Sequence, residues 1–459
     1  MGEKGASVPR WWAGIDWSER LQDCAIVDER GDVVRHLRIE ESLDGLDEFL
    51  TALRDLNRRS HRHSARQVPC AIEDGNRLLA VELRRRGQQV IVIPPAVSAR
   101  HRGRTGTAVS KADRTDAALL ANIIRTQTPG QFRPMPDVSD QAQAIRVLAR
   151  AAVEATEERR RAVISLRAHL MRYYPAYVRA WEPYHLGLRR AEARALLALA
   201  PTPAQAAALR PRKIAKVLEG AGRFRLVEDT AAEIRDRLAV LDLRQPPATE
   251  AAMGEQTVLL VQQLDAVCAR VEHLTRRAND AFDAHPQSAI YRSFPVFGSL
   301  LAVRVFAEIG DDADRFGSGR RLRAYAGVAP LTWSSSTSHA VTFRRAANTA
   351  LRTAVMRWAF GCLTRSPGCR ARYDERRERG DRYAAALRIV AGRLLSGLHH
   401  CLATGQLYDE ATMWSRAAES DLRVRREPGA DRAGGGIRCL ESPPGPEPSS
   451  GGGTPPPAP

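Results

Sequence analysis

The sequence predicts an N-terminal α/β domain, then a long helical connector and a mainly α-helical C-terminal domain. Short apolar runs bounded by turn residues alternate with helical patterns near the N-terminus, as in a mixed sheet covered by helices. From about residue 138, apolar side chains recur every three or four positions, which is the helical period. The 459 residues, 44% of them apolar, are enough for two or three ordinary cores.

The first domain is predicted at residues 11–130. Three apolar runs predict an antiparallel meander, at 11–17, 23–28 and 33–39. A helix is predicted near 43–58, because Leu46, Phe49, Leu50 and Leu53 share one helical face. Two short strands of the buried type follow, at 68–72 and 90–93, with a helix between them. This order of elements resembles the ribonuclease H-like fold.

The helical connector is predicted at 138–285. Its two long amphipathic stretches, near 138–176 and 250–284, favour a coiled coil or helical hairpin, with an ordinary helical bundle as the open alternative. The C-terminal domain is predicted at 290–412. The tail at 424–459 consists largely of Gly, Pro, Ser and Arg, so we expect it to be disordered.

The charge of the chain predicts a polyanionic partner. Lys and Arg number 70 against 53 Asp and Glu, a formal net charge of +17. Basic side chains that neutralise phosphates release counterions, which favours binding to double-stranded DNA. A genome that favours arginine codons is the alternative explanation of the arginine excess.

The sequence also predicts a cytoplasmic protein without a membrane segment. No apolar run approaches the roughly 18 residues of a membrane span, and the first residues do not resemble a signal peptide. The seven cysteines are scattered and lack CxxC spacing, which supports neither a disulfide framework nor a zinc ribbon.

Acidic residues stand where a metal site can assemble. Asp16 ends the first apolar run and Glu73 follows the run at 68–72, so their strands can bring them to one edge of the sheet. Asp113 and Asp116 are three residues apart on a predicted helix and share a face. Mg²⁺ is a hard ion that prefers such carboxylate oxygens. The alternative for Asp113 is a capping box with Ser110, which leaves Asp116 unexplained.

Four motifs in order resemble the DEDD-type transposases of insertion sequence family 110. They are Gly14-Ile-Asp16-Trp-Ser, Ile72-Glu73-Asp-Gly, Lys111-Ala-Asp113-Arg-Thr-Asp116-Ala and Ala324-Tyr-Ala-Gly327-Val-Ala-Pro330. The resemblance covers roughly residues 11–412. It implies a RuvC-like N-terminal domain with a Mg²⁺-binding acidic tetrad, Asp16, Glu73, Asp113 and Asp116, followed by a coiled-coil connector and a C-terminal transposase domain. It also implies recombination guided by a structured RNA.

The resemblance further implies a serine nucleophile after the Gly-x-x-Pro motif. Counting from Pro330, Ser335 takes that position, and Ser336 replaces the family's usual glycine. Ser334 and Ser336 remain alternatives, because a serine needs neighbours that stabilise its alkoxide before it becomes a nucleophile.

Basic and small residues near the serines are candidate nucleic-acid contacts. Arg344 and Arg345 follow the serine run and suit a phosphate, with Asn348 and Arg352 on the next predicted helix. Gly298 lies in a Pro-x-x-Gly turn that resembles a helix-hairpin-helix, where backbone N–H groups can meet a phosphate; a turn within the core is the alternative. The acidic and serine motifs lie far apart in sequence and can meet within one chain or across subunits. The helical connector favours a site shared between subunits, so we expect a dimer or tetramer.

Three other functions fit parts of the pattern. A Holliday-junction endonuclease would use the acidic tetrad alone and would not need Ser335. An actin-like sugar kinase also opens with a motif like Gly-Ile-Asp-Trp-Ser, but no convincing glycine-rich phosphate loop accompanies it here. A non-catalytic DNA-binding protein would tolerate the loss of all four acids.

Overall fold

The structure is a computed structural model that describes residues 11–59, 68–102, 113–127, 132, 134–240, 243–334, 339–343 and 347–415. Contacts divide the chain into two units, the first ending at Tyr408 and the second beginning at Asp409. In the second unit a short helix spans Glu410–Trp414, capped by the Asp409 side chain. The tail predicted at 424–459 lies outside the described residues.

A five-stranded mixed sheet forms the N-terminal part of the first unit. Its strands are β1 (Trp12–Asp16), β2 (Leu21–Val27), β3 (Val33–Glu40), β4 (Cys70–Ile72) and β5 (Val90–Val92). The order across the sheet is β3-β2-β1-β4-β5. The first three strands are antiparallel neighbours, whereas β4 runs parallel to both β1 and β5. The predicted meander and mixed sheet are confirmed.

Helices cover both faces of this sheet. They are α1 (Leu43–Arg59), α2 (Leu78–Arg85), α3 (Pro95–Arg102) and α4 (Asp113–Arg125). Ile15 faces the core that contains Phe49 of α1, whereas Trp12 faces the core that contains Leu120 of α4. Because side chains alternate along a strand, Gly14 and Asp16 share the α4 face with Trp12.

Strand β1 and helix α4 meet backbone to backbone at Gly14. A Cβ atom built on Gly14 would overlap the carbonyl oxygen of Ala117 and lie 2.6 Å from the amide nitrogen of Ala121. A packed core cannot absorb such an overlap without moving the helix, so α4 needs glycine at this position. The contact therefore sets where the first turn of α4 lies relative to the end of β1.

The next part of the chain is helical. Its helices are α5 (Asp140–Leu170), α6 (Pro175–Trp181), α7 (Ala191–Leu199), α8 (Pro203–Ala207), α9 (Pro211–Gly220), α10 (Val227–Leu238) and α11 (Pro247–Asp283). Ser139 caps α5 by accepting a hydrogen bond from the Ala142 amide. The two long helices pack against each other, with Ala155 of α5 buried beside Val267 and Val271 of α11.

Helices also dominate the last part of the first unit. They are α12 (Ser288–Ser293), α13 (Ser299–Ile309), α14 (Gly319–Tyr325), α15 (Thr349–Cys362), α16 (Pro367–Glu378) and α17 (Tyr383–Thr404), with a hairpin of β6 (Pro330–Ser334) and β7 (His339–Phe343) before α15. In the core, the Phe297 ring stacks on Trp358 with centroids 4.0 Å apart. Over the described ranges, no helix has both the length and the hydropathy of a membrane span.

We predict that Gly14→Ala lowers the free energy of unfolding by about 1–3 kcal/mol, the usual cost of forced overpacking. Chemical denaturation followed by circular dichroism measures it. Gly220→Ala is the matched control, because a Cβ at the end of α9 meets nothing within 4 Å. That variant should be unchanged or slightly more stable. Equal denaturation midpoints for the two variants would contradict the tight contact between β1 and α4.

Candidate active site

Asp16 and Glu73 lie side by side at the carboxyl edge of the sheet. In the parallel pair of β1 and β4, Ile15 is the partner of Ile72, and each acid is the next residue along its strand. The alternation of side chains also turns Glu73 toward the α4 face, because Ile72 belongs to the core on the opposite face. Two carboxylates from distant parts of the sequence thus share one edge.

Asp116 joins this edge from the first turn of α4. It is largely buried, with 9% of its surface exposed. Asp113 is the first residue of α4, and its side chain lies outside the described part of the structure, as does the predicted cap Ser110. Residues three apart on a helix share a face, so the backbone places both aspartates on one side of α4.

Arg102, at the end of α3, lies among these carboxylates. Its Nε donates a hydrogen bond of 2.7 Å to Asp116 Oδ1, and its Nη2 lies 4.0 Å from Glu73 Oε1. The hydrogen bond to Asp116, together with the charges of Asp116, Glu73 and Asp16, raises the pKa of Arg102 against the opposing effect of burial. The guanidinium therefore stays charged and offsets the repulsion between the acids.

Ser98 and Arg102 are the residues of this site that sequence reasoning missed. The Ser98 hydroxyl donates a hydrogen bond to Glu73 Oε1. Ser98 and Arg102 lie four residues apart and therefore share one face of α3. The available signal was their spacing of four residues on α3, a helix that directly follows β5, the strand next to β4. The pair holds Glu73 and Asp116 in place from one helix.

A further acid lies opposite Asp16. Asp23 is its direct partner in the antiparallel pair of β1 and β2, and only 3% of its surface is exposed. His36 and Arg38 of β3 lie 3.3 and 3.5 Å from its carboxylate oxygens. Asp23 is thus held by neighbours across the sheet on the side away from Glu73.

The carboxylates of this edge are of the right chemistry for a hard divalent ion. Asp16, Glu73 and Asp116 offer only oxygen donors, which Mg²⁺ prefers. Among the described side chains, no three His, Cys, Asp or Glu residues stand close enough to ligate one ion together. Arg102 lies between two of the candidates, so an ion that used both would have to share or displace the guanidinium.

The serine motif begins at Ser334, the last residue of β6, and precedes β7 in the sequence. The two strands pair from Pro330 with Phe343 to Ser334 with His339. Ser335, Ser336, Arg344 and Arg345 lie outside the described residues, and the side chain of Ser334 is not described. The roles predicted for them stay predictions.

The two ends of the segment that carries the hairpin are tied together by Asn348 and Tyr325. The Asn348 amide nitrogen donates to the Tyr325 carbonyl at 2.8 Å, and its side-chain Nδ2 lies 2.9 Å from the Tyr325 hydroxyl. Asn348 Oδ1 also caps α15 by accepting from the Leu351 amide at 2.8 Å. These contacts hold the base of the hairpin segment to the end of α14.

Glu308 anchors this base to the long helix α5. Both of its carboxylate oxygens accept hydrogen bonds of 2.9 Å from the Arg150 guanidinium, and Asn348 Nδ2 donates to it at 2.7 Å. Burial alone would raise the pKa of Glu308, but the hydrogen bonds from Arg150 and Asn348 outweigh it and leave the pKa below its ordinary value. Glu308 is therefore ionised and joins three helices.

The other predicted nucleic-acid contacts are placed as follows. The side chain of Asn348 is engaged in the contacts just described, and Arg352 lies one turn further along α15, partly buried. Gly298 precedes α13, is exposed, and has φ −64°. A Cβ there would meet nothing nearer than the Val296 carbonyl oxygen at 4.0 Å, so the fold leaves open space at this turn. Their contacts with nucleic acid remain predictions.

Two family models match the chain. One, described as a transposase, matches residues 13–175, which contain the sheet and its acidic edge. The other, described as the IS116/IS110/IS902 family of transposases, matches residues 288–374, which contain the hairpin. The chain is therefore a transposase, an enzyme that moves DNA.

Individual relatives agree with these models. The transposase assigned to the IS117 mini-circle of Streptomyces coelicolor is 42% identical over 399 residues, which are 87% of this chain and 95% of that protein. An uncharacterized 43.6 kDa protein of IS110 from the same organism is 29% identical across 65% of this chain and 72% of its own length. An uncharacterized 42 kDa protein of IS900 from Mycobacterium paratuberculosis is 26% identical across 88% of this chain and 99% of its own.

The chain belongs to the IS116/IS110/IS902 family of transposases. The resemblance drawn from the sequence motifs is thereby confirmed.

We predict that Arg102→Ala destabilises the metal-free protein by about 1 kcal/mol. This is the usual contribution of a hydrogen bond to a charged group, reduced because Arg102 is partly exposed to solvent. Without the guanidinium, the carboxylates of Glu73 and Asp116 repel each other uncompensated. Thermal unfolding in EDTA measures the effect, and Arg102→Lys, which keeps the charge, should lose less. Unchanged stability of the alanine variant would show that Arg102 does not compensate the acids.

We predict that Glu308→Gln costs about 2–3 kcal/mol at pH 7, because it leaves the Arg150 guanidinium without its carboxylate. A carboxyl whose pKa is lowered by folding stabilises the protein above its unfolded pKa, about 4.5, and loses that contribution as the pH falls further. The gap between wild type and variant should therefore narrow below pH 4.5.

Chemical denaturation at pH 7 and below pH 4.5 measures the Glu308 effect. Glu157→Gln is the control, because Glu157 pairs with Arg160 on the exposed face of α5. That variant should differ little from wild type at either pH. A Glu308→Gln deficit that stays constant with pH would contradict an ionised Glu308.

Proposed function

We propose that this transposase cuts and rejoins DNA with two chemical centres, an acidic site that binds Mg²⁺ and a serine nucleophile in the hairpin segment. The observation that carries the proposal is that Asp16 and Glu73 share one edge of the sheet, where Arg102 bonds Asp116 and lies near Glu73. These acids come from two strands and a helix far apart in sequence. A single structural ion pair does not require so many carboxylates.

The fold we propose for this part is ribonuclease H-like. An antiparallel β1–β2–β3 meander, with β4 and β5 added in parallel beside β1, supports it. The position of α4 across β1, with acids on its first turn, also supports it. We propose that the edge at the end of β1, which carries Asp16, faces the nucleic acid.

Asp16, Glu73 and Asp116 would hold the ion after moving closer together than they lie here, and Asp113 would complete the set. Their oxygen donors suit Mg²⁺, which keeps part of its water shell and takes few carboxylates. When bound, the ion supplies polarisation of the scissile phosphodiester and stabilisation of the oxygen that leaves.

The remaining contribution at this edge comes from the chain's own residues. Ser98 orients the Glu73 carboxylate through its hydrogen bond, and Arg102 keeps the acids compensated. The guanidinium is 45% exposed at its side chain, so it is also accessible to a phosphate of the DNA. Substrate and acids therefore compete for the same cation.

The serine chemistry follows from the family motif, with Ser335 as the proposed nucleophile. Its Oγ attacks the phosphorus atom, and a P–Oγ bond forms as the bond from phosphorus to a deoxyribose oxygen breaks. The serine proton passes to the oxygen that departs. The hydroxyl of another DNA strand then attacks the phosphorus, the P–Oγ bond breaks, and the hydroxyl proton passes to the serine Oγ, so the strands are joined without ATP. Arg344 and Arg345 would clamp the phosphate.

The partners we propose are double-stranded DNA, a structured guide RNA and further copies of this chain. The formal charge of +17 supports a nucleic-acid partner. The RNA rests on the family resemblance. A dimer or tetramer would allow the acidic edge of one chain to meet the serine of another, which the long helices α5 and α11 could span.

We predict that Asp16→Asn abolishes Mg²⁺-dependent cutting, because an amide is a poor ligand for the ion. Ser335→Ala should abolish the covalent link to DNA. The assay incubates the protein with Mg²⁺, its co-purifying RNA and target DNA, and detects a denaturation-resistant adduct that mass spectrometry maps.

Asp74→Asn is the control for the acidic site, because Asp74 accepts hydrogen bonds only within its own turn, from Asn76, in the contacts described. It should cut like wild type. An adduct outside Ser334, Ser335 and Ser336 would refute the serine assignment. Cutting that survives Ser335→Ala without an adduct would favour a Holliday-junction endonuclease that uses the acids alone.

A further inference from the structure

An open groove between α15 and α17 combines exposed aromatic rings with arginines. Phe360 of α15 is 58% exposed and Tyr383 of α17 is 49% exposed. Three arginines line the same groove, Arg352, Arg357 and Arg388. Exposed aromatic side chains of this size on a surface rich in charge are typical of binding sites.

The groove carries excess positive charge. None of the described residues that line it is acidic. Two acids act electrostatically on the groove arginines, Asp381 on Arg388 and Glu157 on Arg357. Each is also paired with an arginine outside the groove, Asp381 with Arg376 at 2.6 Å and Glu157 with Arg160 at 2.9 Å. The surface therefore suits a polyanion.

The charge of Arg357 also acts on a neighbouring arginine. Burial lowers the pKa of Arg304, and the charge of Arg357 lowers it further, whereas Glu157 and Glu308 oppose this lowering. Arg357 and Arg304 therefore repel each other, and the two acids offset part of that repulsion.

The aromatic rings are not needed to fill the core beneath them. The core face of α15 is formed by other residues, which are Leu351, Ala354, Val355, Trp358, Ala359 and Cys362. Phe360 points off that face. Tyr383 contacts Tyr373 edge to face, with ring centroids 6.1 Å apart, which fixes one side of the ring and leaves half of its surface exposed. Both rings are available to stack on a flat ligand.

We propose that this groove binds an unpaired DNA strand, with bases stacked on Phe360 and Tyr383 and phosphates on the arginines. Aromatic side chains can stack on bases only where the strand is unpaired, and arginines follow its backbone. From Arg352 to Phe360 helix α15 rises about 12 Å, the length of roughly three to four stacking steps at about 3.4 Å each, which join about four nucleotides.

The position of α15 directly after the β6–β7 hairpin favours DNA, rather than RNA, as the single strand that the groove binds. Helix α15 is the next element after β7, and Asn348 ties its first turn to Tyr325 at the other end of the hairpin segment. A DNA strand that reaches the β6–β7 hairpin would therefore pass close to the first turn of α15, where the groove begins. This step rests on the proposed function, in which the DNA strand attacked by the hairpin serine must open before it is exchanged.

The test measures binding of single-stranded DNA, duplex DNA and single-stranded RNA to the full chain by fluorescence anisotropy. All chains carry Ser335→Ala, so that no cutting interferes. Phe360→Leu and Tyr383→Leu should each weaken binding of single-stranded DNA about tenfold, which is near the lower end of the effect of losing one stacked base. Binding of duplex DNA should change little. Tyr383→Phe, which keeps the ring, should bind as tightly as the parent.

A second readout reports stacking itself. The fluorescence of 2-aminopurine in the single strand should be quenched by the parent chain and by Tyr383→Phe, and should recover in Phe360→Leu. Because both substitutions lie on the surface, the variants should melt at the same temperature as the parent. Equal melting temperatures would show that the loss of binding does not come from misfolding.

Several results would overturn the groove assignment. They are single-stranded DNA binding unchanged in both leucine variants, loss of RNA binding alone, or a change of oligomeric state by light scattering without a change in DNA binding. Failure of the proposed function is distinguishable. If the chain with Ser335 intact forms no covalent adduct while the groove variants still lose strand binding, the serine mechanism is wrong and the groove stands.

Discussion

The close contact of β1 with α4 is the constraint on which the acidic site depends. Gly14 lets the backbone of α4 lie directly on the strand, beside Ala117. Asp116 precedes Ala117 in α4, and Asp16 is two residues beyond Gly14 on the same face of β1. A larger residue at Gly14 would move the helix and separate the two aspartates, so packing at one glycine governs the geometry of the proposed chemistry.

Arginine side chains neutralise carboxylates at both sites of the proposed chemistry, the sheet edge and the base of the hairpin segment. At the sheet edge, Arg102 binds Asp116 and approaches Glu73. At the base of the hairpin segment, Arg150 binds both oxygens of buried Glu308. The first pair is partly exposed and open to exchange with a phosphate or an ion, whereas the second is a fixed element of the scaffold. The same pairing of charges therefore fixes the scaffold at Glu308, and in the proposed function it exchanges with substrate at Arg102.

Much of the sheet could be predicted from the sequence, because short apolar runs bounded by turn residues indicate buried strands, and acids after parallel strands meet at one edge. Arg102 could not be assigned, because its contact with Glu73 depends on the direction in which α3 leaves the sheet. Asn348 was predicted to contact nucleic acid, and the structure engages its side chain in a helix cap and in contacts with Glu308, which depend on tertiary packing. The β6 and β7 strands were not predicted, because the sequence around Pro330–Ser334 is rich in serine and threonine and lacks a clear apolar run.

The most direct test of the central claim is to locate Mn²⁺, a substitute for Mg²⁺, by anomalous X-ray scattering in crystals of the protein bound to DNA. We predict a peak about 2.1 Å from carboxylate oxygens of Asp16 and Asp116, with Arg102 moved away from Asp116. A peak elsewhere, or Arg102 still bound to Asp116 with no ion at the sheet edge, would contradict the account.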